Sequence, residues 1–355
     1  MSALLGFTGD LFLGADASDR PLDTLAARLP ADTSLFLNFE GTLHEDAASL
    51  VQQRQKISLT APPRVLDALD RLRVHAFCLN NNHIGDYGEP VAELTRERLS
   101  RLAPTFGAGR TGEAGFHRLA LPFGGLTVGY AAYCTPDTSP LYSTETRIGP
   151  LDLDADRAAE DLRDLRGRSD VAVAIVHWGD EYFHHASDEQ VRRGRLLVDV
   201  GFDLVIGSHP HAAQGHEVYR GKHVFYSLGN FCFPDYDAVV AGYHHQLRWL
   251  PRCRWGLLPL FSARGGALHL ERVHSLEANG RSVTLADSRS RERRLARLGA
   301  SLDGRSHGLR RRIEAARIRY EEFAVRDRKG AILARKAAEL LGLRDRAPRP
   351  AAYRQ

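Results

Sequence analysis

Two histidines separated by a single proline, His209 and His211, follow a short apolar segment that ends at Ile206. Proline fixes its own φ and favours an extended conformation for the residue before it, so we expect an extended His209 and a stiff loop. Ligands bind at the carboxyl ends of the strands in open α/β sheets. The pattern therefore predicts a ligand or metal site at this loop. A polar turn with two solvated histidines is the alternative.

Polar side chains follow other apolar segments in the same way. Asp10 follows the segment 4–8, Asn38 and Glu40 end the segment 34–38, a polar stretch at 80–88 follows 75–79, and His177 follows 171–176. Alternation along a strand places Asn38 and Glu40 on the same face. Each case has an ordinary explanation, such as a Gly-Asp turn, an edge strand, a helix-capping loop or a core histidine. Their recurrence at the same structural position predicts one shared site.

The segments that position these residues alternate between strand and helix patterns, which is typical of an α/β fold. Helices are predicted over 63–73, 89–102, 155–165 and 188–200, and further strands over 126–132, 257–263 and 267–273. A hairpin is predicted to turn on Arg220-Gly221. Residues 135–150 are predicted to form a loop long enough to cover a site, and residues 232–255 to be loop.

The composition is that of an ordinary soluble globular protein. The 355 residues are 43% hydrophobic and 26% charged, which argues against disorder. We find no apolar run near the roughly 20 residues that span a bilayer. The first ten residues show no basic region and no cleavage site, so we predict a cytoplasmic protein without a signal peptide. The widely spaced Cys78, Cys134, Cys232 and Cys253 are predicted to be buried or incidental thiols.

The net charge of +4 is unevenly distributed. Residues 281–355 contain 21 basic and 9 acidic residues, a net charge of +12, which leaves the remainder at −8. We interpret this Arg-rich segment as solvated helices that pack on the main domain. Docking of an acidic peptide is the alternative. Nucleic-acid binding is disfavoured because the segment lacks interleaved aromatic residues and the rest of the chain is acidic.

The motifs together resemble the CapA family, named for poly-γ-glutamate capsule synthesis proteins, over residues 4–275. The matching motifs are Gly9-Asp10, Asn38-Phe-Glu40, Asn81-Asn-His-Ile-Gly-Asp-Tyr-Gly88, His177-Trp-Gly-Asp-Glu-Tyr182, Gly207-Ser-His-Pro-His211 and Tyr226-Ser-Leu-Gly-Asn-Phe231. The resemblance implies a four-layer αββα metallophosphatase-like (calcineurin-like) sandwich over residues 1–280. Residues 281–355 would form a helical extension that packs on it.

The resemblance also implies roles for individual side chains. Asp10 and His211 correspond to ligands of one metal ion, Asn82, His177 and His209 to ligands of a second, and Glu40 to the bridging carboxylate. His83 corresponds to the histidine that approaches the substrate as an acid or electrophile, with Asp86 positioned to orient it. Phe12 stands where the fold usually has another histidine, so the site would be short of one ligand and hold one ion or two.

Imidazole, carboxylate and amide donors without sulfur favour Mn²⁺, Fe²⁺, Zn²⁺ or Mg²⁺. Such an ion polarises a carbonyl or phosphoryl oxygen, and an unmetallated imidazole titrates near the working pH. The resemblance therefore implies a metal-dependent enzyme that acts on a peptide or γ-glutamyl-type substrate by acid/base chemistry.

Classical family members are exported and membrane-anchored, whereas no anchor is predicted here, so tailoring of a cytoplasmic peptide fits better. The family includes relatives, associated with lasso-peptide pathways, that resemble metal-dependent peptide epimerases. We therefore predict epimerisation at a Cα in a ribosomal peptide pathway, with the basic extension docking an acidic peptide or its C-terminal carboxylate. A phosphoesterase, a polyglutamate- or capsule-related hydrolase or transferase, and a non-catalytic scaffold with a structural metal are the alternatives.

Overall fold

The computed structural model describes residues 3–14, 20–46, 50–53, 57–240, 243–279, 282–302 and 306–326. Residues 327–355 of the predicted C-terminal extension lie outside these ranges.

The described strands and helices alternate along most of the chain. The strands are β1 (Leu4–Leu11), β2 (Thr33–Phe39), β3 (Thr42–Leu43), β4 (Thr60–Ala61), β5 (Val74–Cys78), β6 (Thr105–Phe106), β7 (Arg118–Phe123), β8 (Leu126–Cys134), β9 (Val171–His177), β10 (Leu204–Ser208), β11 (His216–Tyr219), β12 (Lys222–Phe225), β13 (Asn230–Cys232), β14 (Tyr236–Val240), β15 (Tyr243–Leu247), β16 (Trp255–Arg264), β17 (Ala267–Ala278) and β18 (Val283–Leu285). The α-helices are α1 (Asp23–Ala26), α2 (Glu89–Ser100), α3 (Ala155–Arg166), α4 (Asp188–Val200), α5 (Arg289–Ala300) and α6 (His307–Arg326), and short 3₁₀ helices cover Pro63–Leu69, Pro136–Thr138 and Pro251–Arg254.

Two mixed sheets form the centre of the molecule. The first has the strand order β18-β17-β16-β1-β2-β5-β6, with β13 pairing with β1, and the second has the order β11-β12-β10-β9-β8-β7. Strands β1, β2, β5 and β6 are parallel, as are β8, β9, β10 and β12. These parallel strands are largely apolar because helices or the other sheet cover both of their faces.

Three apolar clusters define the layers. One lies between the two sheets and includes Phe7, Phe36, Tyr130, Ile206 and Phe225. A second covers the outer face of the first sheet with α1 and α2, and a third packs α3 and α4 on the outer face of the second sheet. The predicted four-layer αββα sandwich is therefore confirmed.

The chain after β17 remains associated with the sandwich. Strand β18 pairs with β17 at the edge of the first sheet, and α5 packs against β11. A Cβ atom at Gly299 would lie 2.3 Å from the carbonyl oxygen of His216, so the close approach of this helix end requires glycine. In the described ranges, no helix is both long enough and apolar enough to cross a bilayer.

Several predicted elements differ from the observed ones. The helix expected over 63–73 is a 3₁₀ helix that ends at Leu69, and the expected loop 232–255 contains the antiparallel pair β14–β15. The predicted hairpin at Arg220-Gly221 is confirmed by the pairing of β11 with β12, and the helix predicted over 188–200 has these bounds in the structure.

Candidate metal centre

The residues with predicted chemistry lie at the carboxyl ends of strands in both sheets. Asp10 lies near the end of β1 and His177 ends β9, while Glu40 directly follows β2. The loops after β5 and β10 contribute the remaining residues, which are Asn82, His83, Asp86, His209 and His211. All eight side chains are buried, and His83 has the largest exposed fraction, 8%. Because the two sheets pack face to face, residues from distant parts of the sequence share one site.

A first cluster is formed by Glu40, His177 and His209, whose candidate ligand atoms all lie within 4.8 Å of one another. His177 Nε2 is 3.9 Å from Glu40 Oε1 and 3.1 Å from His209 Nδ1. Asn82 joins this group, because its Oδ1 is 3.0 Å from the same His177 nitrogen. Its amide nitrogen donates to the carbonyl oxygen of Thr138 at 3.1 Å, which fixes its orientation.

A second cluster is formed by Asp10, Glu40 and His211, again with ligand atoms within 4.8 Å. His211 Nε2 is 3.8 Å from Glu40 Oε1, and its Nδ1 is 3.3 Å from Asp10 Oδ2. Glu40 belongs to both clusters, which is the arrangement expected of a carboxylate that bridges two ions or stands between two alternative positions for one ion.

The donor set fits a divalent cation. Asp10 and Glu40 are completely buried, and a buried carboxylate is costly unless it is paired or bound to a metal. Burial raises the pKa of Asp10, while His211 and hydrogen bonds from the His209 backbone and Asn38 oppose this rise. Oxygen and imidazole donors without a thiolate suit Mn²⁺, Fe²⁺, Zn²⁺ or Mg²⁺. Asp10, Glu40, Asn82, His177, His209 and His211 are the residues that would hold the ion.

His83 and Asp86 form a separate pair beside the clusters. His83 Nδ1 is 2.6 Å from Asp86 Oδ2, and the same carboxylate oxygen accepts a hydrogen bond from Leu59 N at 2.9 Å. His83 Nε2 is 3.7 Å from Glu40 Oε1. A carboxylate bound to Nδ1 fixes the ring of the histidine and directs Nε2 towards the clusters.

Further side chains orient the histidines. His211 Nδ1 is 2.9 Å from Asn230 Oδ1, and His177 Nδ1 is 3.0 Å from Ser208 Oγ. Such partners hold the tautomer and the ring plane of a metal ligand. Sequence reasoning gave neither Asn230 nor Ser208 a role, although both lie inside the motifs that carried the family resemblance. For Ser208 the available signal was its position directly beside the predicted ligand His209. For Asn230 the reason is visible only in the structure, where it begins the strand that pairs with β1 beside Asp10.

The backbone around the two histidines differs from the prediction. His209 was expected to be extended because proline follows it, but its φ is +94°, and the φ of His211 is +54°. The backbone nitrogen of His209 donates to Asp10 at 3.2 Å, and its ring faces His177. These contacts accompany a left-handed conformation that is rare for residues other than glycine. Strained residues of this kind cluster at functional sites.

Gly9 permits Asp10 to lie close to Gly229, the residue before β13. A Cβ atom at Gly9 would lie 1.7 Å from the carbonyl oxygen of Gly229, and Asp10 N donates to that same oxygen at 2.9 Å. The Gly9-Asp10 motif therefore has a steric cause.

An aromatic wall borders the second cluster, formed by Phe12, Phe233, Tyr236 and Trp249. Phe12 is completely buried, and its ring centroid is 5.1 Å from that of Phe233 and 5.2 Å from that of Tyr236. Trp249 lies against His211, with the ring centroids 4.6 Å apart. At position 12, where the resemblance leads us to look for a further ligand, the side chain is therefore an apolar ring without a ligand atom.

Comparison with known proteins identifies the family to which this chain belongs. A family model described as "Bacterial capsule synthesis protein PGA_cap" matches residues 5–235. The chain is 27% identical over 218 residues to "Capsule biosynthesis protein CapA" of Bacillus anthracis, covering 58% of this chain and 53% of that protein. It is 30% identical over 232 residues to a "Probable polyglutamine synthesis accessory protein" of Mycobacterium tuberculosis, covering 60% of this chain and 58% of that one. The chain thus spans little more than half the length of these relatives.

Solved structures show a distant similarity. A "novel phosphatase" of Mycoplasma pneumoniae is 12% identical, with a TM-score of 0.48 and coverage of 79% of this chain and 96% of that one. A hypothetical protein of Thermus thermophilus is 15% identical, with a TM-score of 0.48 and coverage of 78% and 99%.

Proposed function

Because this chain belongs to the PGA_cap family of bacterial capsule synthesis proteins, we propose that it is a metal-dependent enzyme acting on a peptide or γ-glutamyl-type substrate. The names of its relatives, which refer to capsule biosynthesis and polyglutamine synthesis, support a substrate built from amino-acid units. Two buried clusters of carboxylate and imidazole donors that share Glu40 support the metal dependence.

The observation that carries this proposal is the His83–Asp86 pair. Its 2.6 Å contact and the 3.7 Å distance from His83 Nε2 to Glu40 Oε1 put an oriented imidazole at the edge of the candidate ligands. His83 is also the most exposed of the buried site residues, so a substrate approaching from solvent would meet it first. This is the arrangement required of a general acid or base.

The roles of the side chains follow from these positions. The residues that would hold the ion are Asp10, Glu40, Asn82, His177, His209 and His211. A divalent ion bound there supplies a Lewis acid that polarises a carbonyl or carboxylate oxygen of the substrate. Asp86 keeps Nδ1 of His83 protonated and the ring fixed, so that Nε2 accepts or donates the proton. The aromatic wall excludes water from one side of the site.

The specific reaction we propose is epimerisation at a peptide Cα. The Cα–H bond breaks, its electron pair moves onto the adjacent carbonyl or carboxylate oxygen of the substrate, and the proton goes to His83 Nε2. A proton from water is added to the opposite face of the same carbon as the electron pair returns, and His83 then releases its proton to the solvent. The substrate keeps its composition, and one position exchanges its hydrogen with solvent. Hydrolysis is the second candidate, because a carboxylate shared by two ligand clusters is also typical of two-metal hydrolases and phosphatases.

One experiment separates these reactions. The Mn²⁺-loaded protein is incubated in D₂O with γ-linked glutamate oligomers and with linear peptides that have a free C-terminal carboxylate, and the products are analysed by mass spectrometry and chiral amino-acid analysis. Epimerisation predicts one deuterium and a D-residue in an intact chain. Hydrolysis predicts shorter chains, and turnover of bis-p-nitrophenyl phosphate that His177→Ala abolishes indicates a phosphodiesterase.

The control variants define the role of His83. Loss of a positioned acid or base typically costs about 10²- to 10⁴-fold in rate, so His83→Gln is expected to lose activity by that factor. His269→Gln, which changes a histidine on β17 that contacts the Arg264 carbonyl oxygen, is expected to retain it. Absence of both deuterium exchange and cleavage with every one of these substrates would contradict the proposal.

A further inference from the structure

One face of α6 contacts the body of the protein through polar side chains. His307, Arg311, Glu314 and Glu321 recur at spacings that place them on the same side of a helix, and we call this set the α6 clasp. His307 Nε2 is 2.8 Å from the carbonyl oxygen of Ala186, and Arg311 donates to the carbonyl oxygen of His185 and to Asp180. The clasp therefore holds residues 180–186, a segment that begins three residues after His177.

Glu314 makes the most contacts of the clasp. Oε1 accepts hydrogen bonds from His184 N at 2.9 Å and from an Arg252 guanidinium nitrogen at 3.0 Å. Oε2 is 3.1 Å from His185 N and 2.7 Å from His185 Nδ1. Burial would raise the pKa of Glu314, but hydrogen bonds from His185 and the charge and backbone of His184 lower it to about 2. The Glu314 carboxylate is therefore ionised, and both of its oxygens accept hydrogen bonds.

The segment held by Glu314 contacts the loop that carries the two predicted ligands. Tyr182 N donates to the carbonyl oxygen of Pro210 at 2.7 Å, and Pro210 lies between His209 and His211. His184 Nδ1 is 2.8 Å from the carbonyl oxygen of Ala213, and Gln214 donates to the carbonyl oxygen of Phe183 at 3.0 Å. Because His209 and His211 both have positive φ, their backbone depends on such neighbouring contacts.

Arg252 provides a second connection to the same histidines. Its side chain is 7% exposed and makes two hydrogen bonds of 2.8 Å to Glu321 in addition to its contact with Glu314. Arg252 also donates to the carbonyl oxygen of Tyr182 at 3.1 Å. It anchors the 3₁₀ helix that follows shortly after Trp249, whose ring packs on His211.

We propose that Glu314 is a positioning residue of the metal centre and that α6 is an integral part of this centre. Glu314 acts on the Pro210 carbonyl through the backbone of residues 180–186. It acts on the ring of His211 through Arg252 and Trp249. Glu314, Glu321 and Arg252 all lie beyond the residues 5–235 that the family model matches. The inference rests on the proposed function, because it requires His209 and His211 to bind the ion.

The test is the affinity and spectrum of bound Co²⁺ in Glu314→Gln. A glutamine keeps the shape but presents an NH₂ group where two donors now approach the carboxylate, so the 180–186 segment must shift. Partners that orient metal ligands typically change metal affinity by about 10- to 100-fold, and we expect a weakening in that range with a change in the visible Co²⁺ absorption. Calorimetric titration and absorption spectroscopy of the 355-residue protein measure the two quantities.

A matched control separates positioning from general stability. Glu217 also forms two hydrogen bonds with an arginine, Arg195, and accepts a third from Tyr226 OH, but it lies on β11. Glu217→Gln is expected to lower the melting temperature while Co²⁺ affinity and spectrum stay unchanged. If Glu314→Gln does not fold, Glu321→Gln is measured instead, because it removes only the Arg252 contact and is expected to give a smaller shift in the same direction.

The outcomes are distinguishable. Wild-type Co²⁺ affinity and spectrum in the folded Glu314 or Glu321 variant would overturn the positioning role and leave the proposed function intact. A wild-type protein that binds no Co²⁺ would overturn the metal centre and the positioning role together.

Discussion

Asp86 illustrates how one contact assigns a task to a residue that is not itself a predicted metal ligand. Its Oδ2 is shared between His83 Nδ1 and the backbone nitrogen of Leu59, so the carboxylate is fixed from two sides. Asp86→Asn would place an amide where both donors now find an acceptor. We expect turnover to fall by about 10²-fold or more, as for loss of a positioned acid or base, while the bound metal per protein is unchanged.

Metal analysis of the purified Asp86→Asn variant, alongside its steady-state rate, checks this expectation. Loss of metal together with activity would contradict it, because Asp86 would then be supporting the ion and not the acid/base group.

At the same scale, the residue types were easier to predict than their conformations. The polar residues that follow apolar segments were sufficient to select Asp10, Glu40, His177, His209 and His211. The conformation of His209 was predicted incorrectly, because the local preference of a residue before proline is outweighed here by contacts with Asp10 and His177. These partners lie far away in the sequence, so a rule based on neighbouring residues cannot predict their contacts with His209.

At the scale of single elements, α4 lies between β9 and β10 of the second sheet, and β10 leads into the loop that carries His209 and His211. Ser187 Oγ accepts a hydrogen bond from Gln190 N at 3.1 Å, and Gln190 Oε1 accepts one from Ser187 N at 2.9 Å, which forms a capping box. Loss of such a cap typically costs about 1 kcal/mol. Ser187→Ala is therefore expected to lower the free energy of unfolding by about 1 kcal/mol, measured by urea denaturation.

Co²⁺ affinity in Ser187→Ala should match the wild type, because the Ser187 hydroxyl bonds to Gln190 N at the end of the helix and is not a predicted metal ligand. An unchanged unfolding free energy would show that the cap contributes nothing to stability.

Elements with a strong period were predicted well and irregular ones were not. The bounds of α4 follow directly from its capping signal and its apolar positions. The pair β14–β15 was missed because its sequence, with a double histidine and flanking Arg, Trp and Pro residues, lacks the alternation of apolar and polar residues that indicates a strand. The pairing depends on the partner strand, which a single-segment pattern does not reveal.

At the scale of the molecule, the candidate metal centre depends on two sheets whose strands have their carboxyl ends at the same place. Asp10 and Glu40 come from the first sheet, while His177, His209 and His211 come from the second. Apolar segments that each end in a polar residue predicted one shared site. They did not predict that two separate sheets contribute to it, because that depends on how the sheets pack. The family resemblance supplied this expectation, and the apolar cluster between the sheets provides its physical basis.

The position of the C-terminal helix was also beyond what the residues alone could predict. Its high content of arginine predicted solvated helices that pack on the main domain, with peptide docking as the alternative. It did not indicate that the described part of α6 contacts the 180–186 segment through buried Glu314. The basic composition describes the whole segment, whereas these contacts are made by particular residues within it, including the acidic Glu314.

The most direct test of the metal centre is anomalous X-ray diffraction from crystals of the protein saturated with Mn²⁺. We expect an anomalous peak at coordination distance from Glu40 and from at least two of the imidazoles of His177, His209 and His211. Manganese bound only elsewhere on the protein, with no peak among these side chains, would contradict the metal centre.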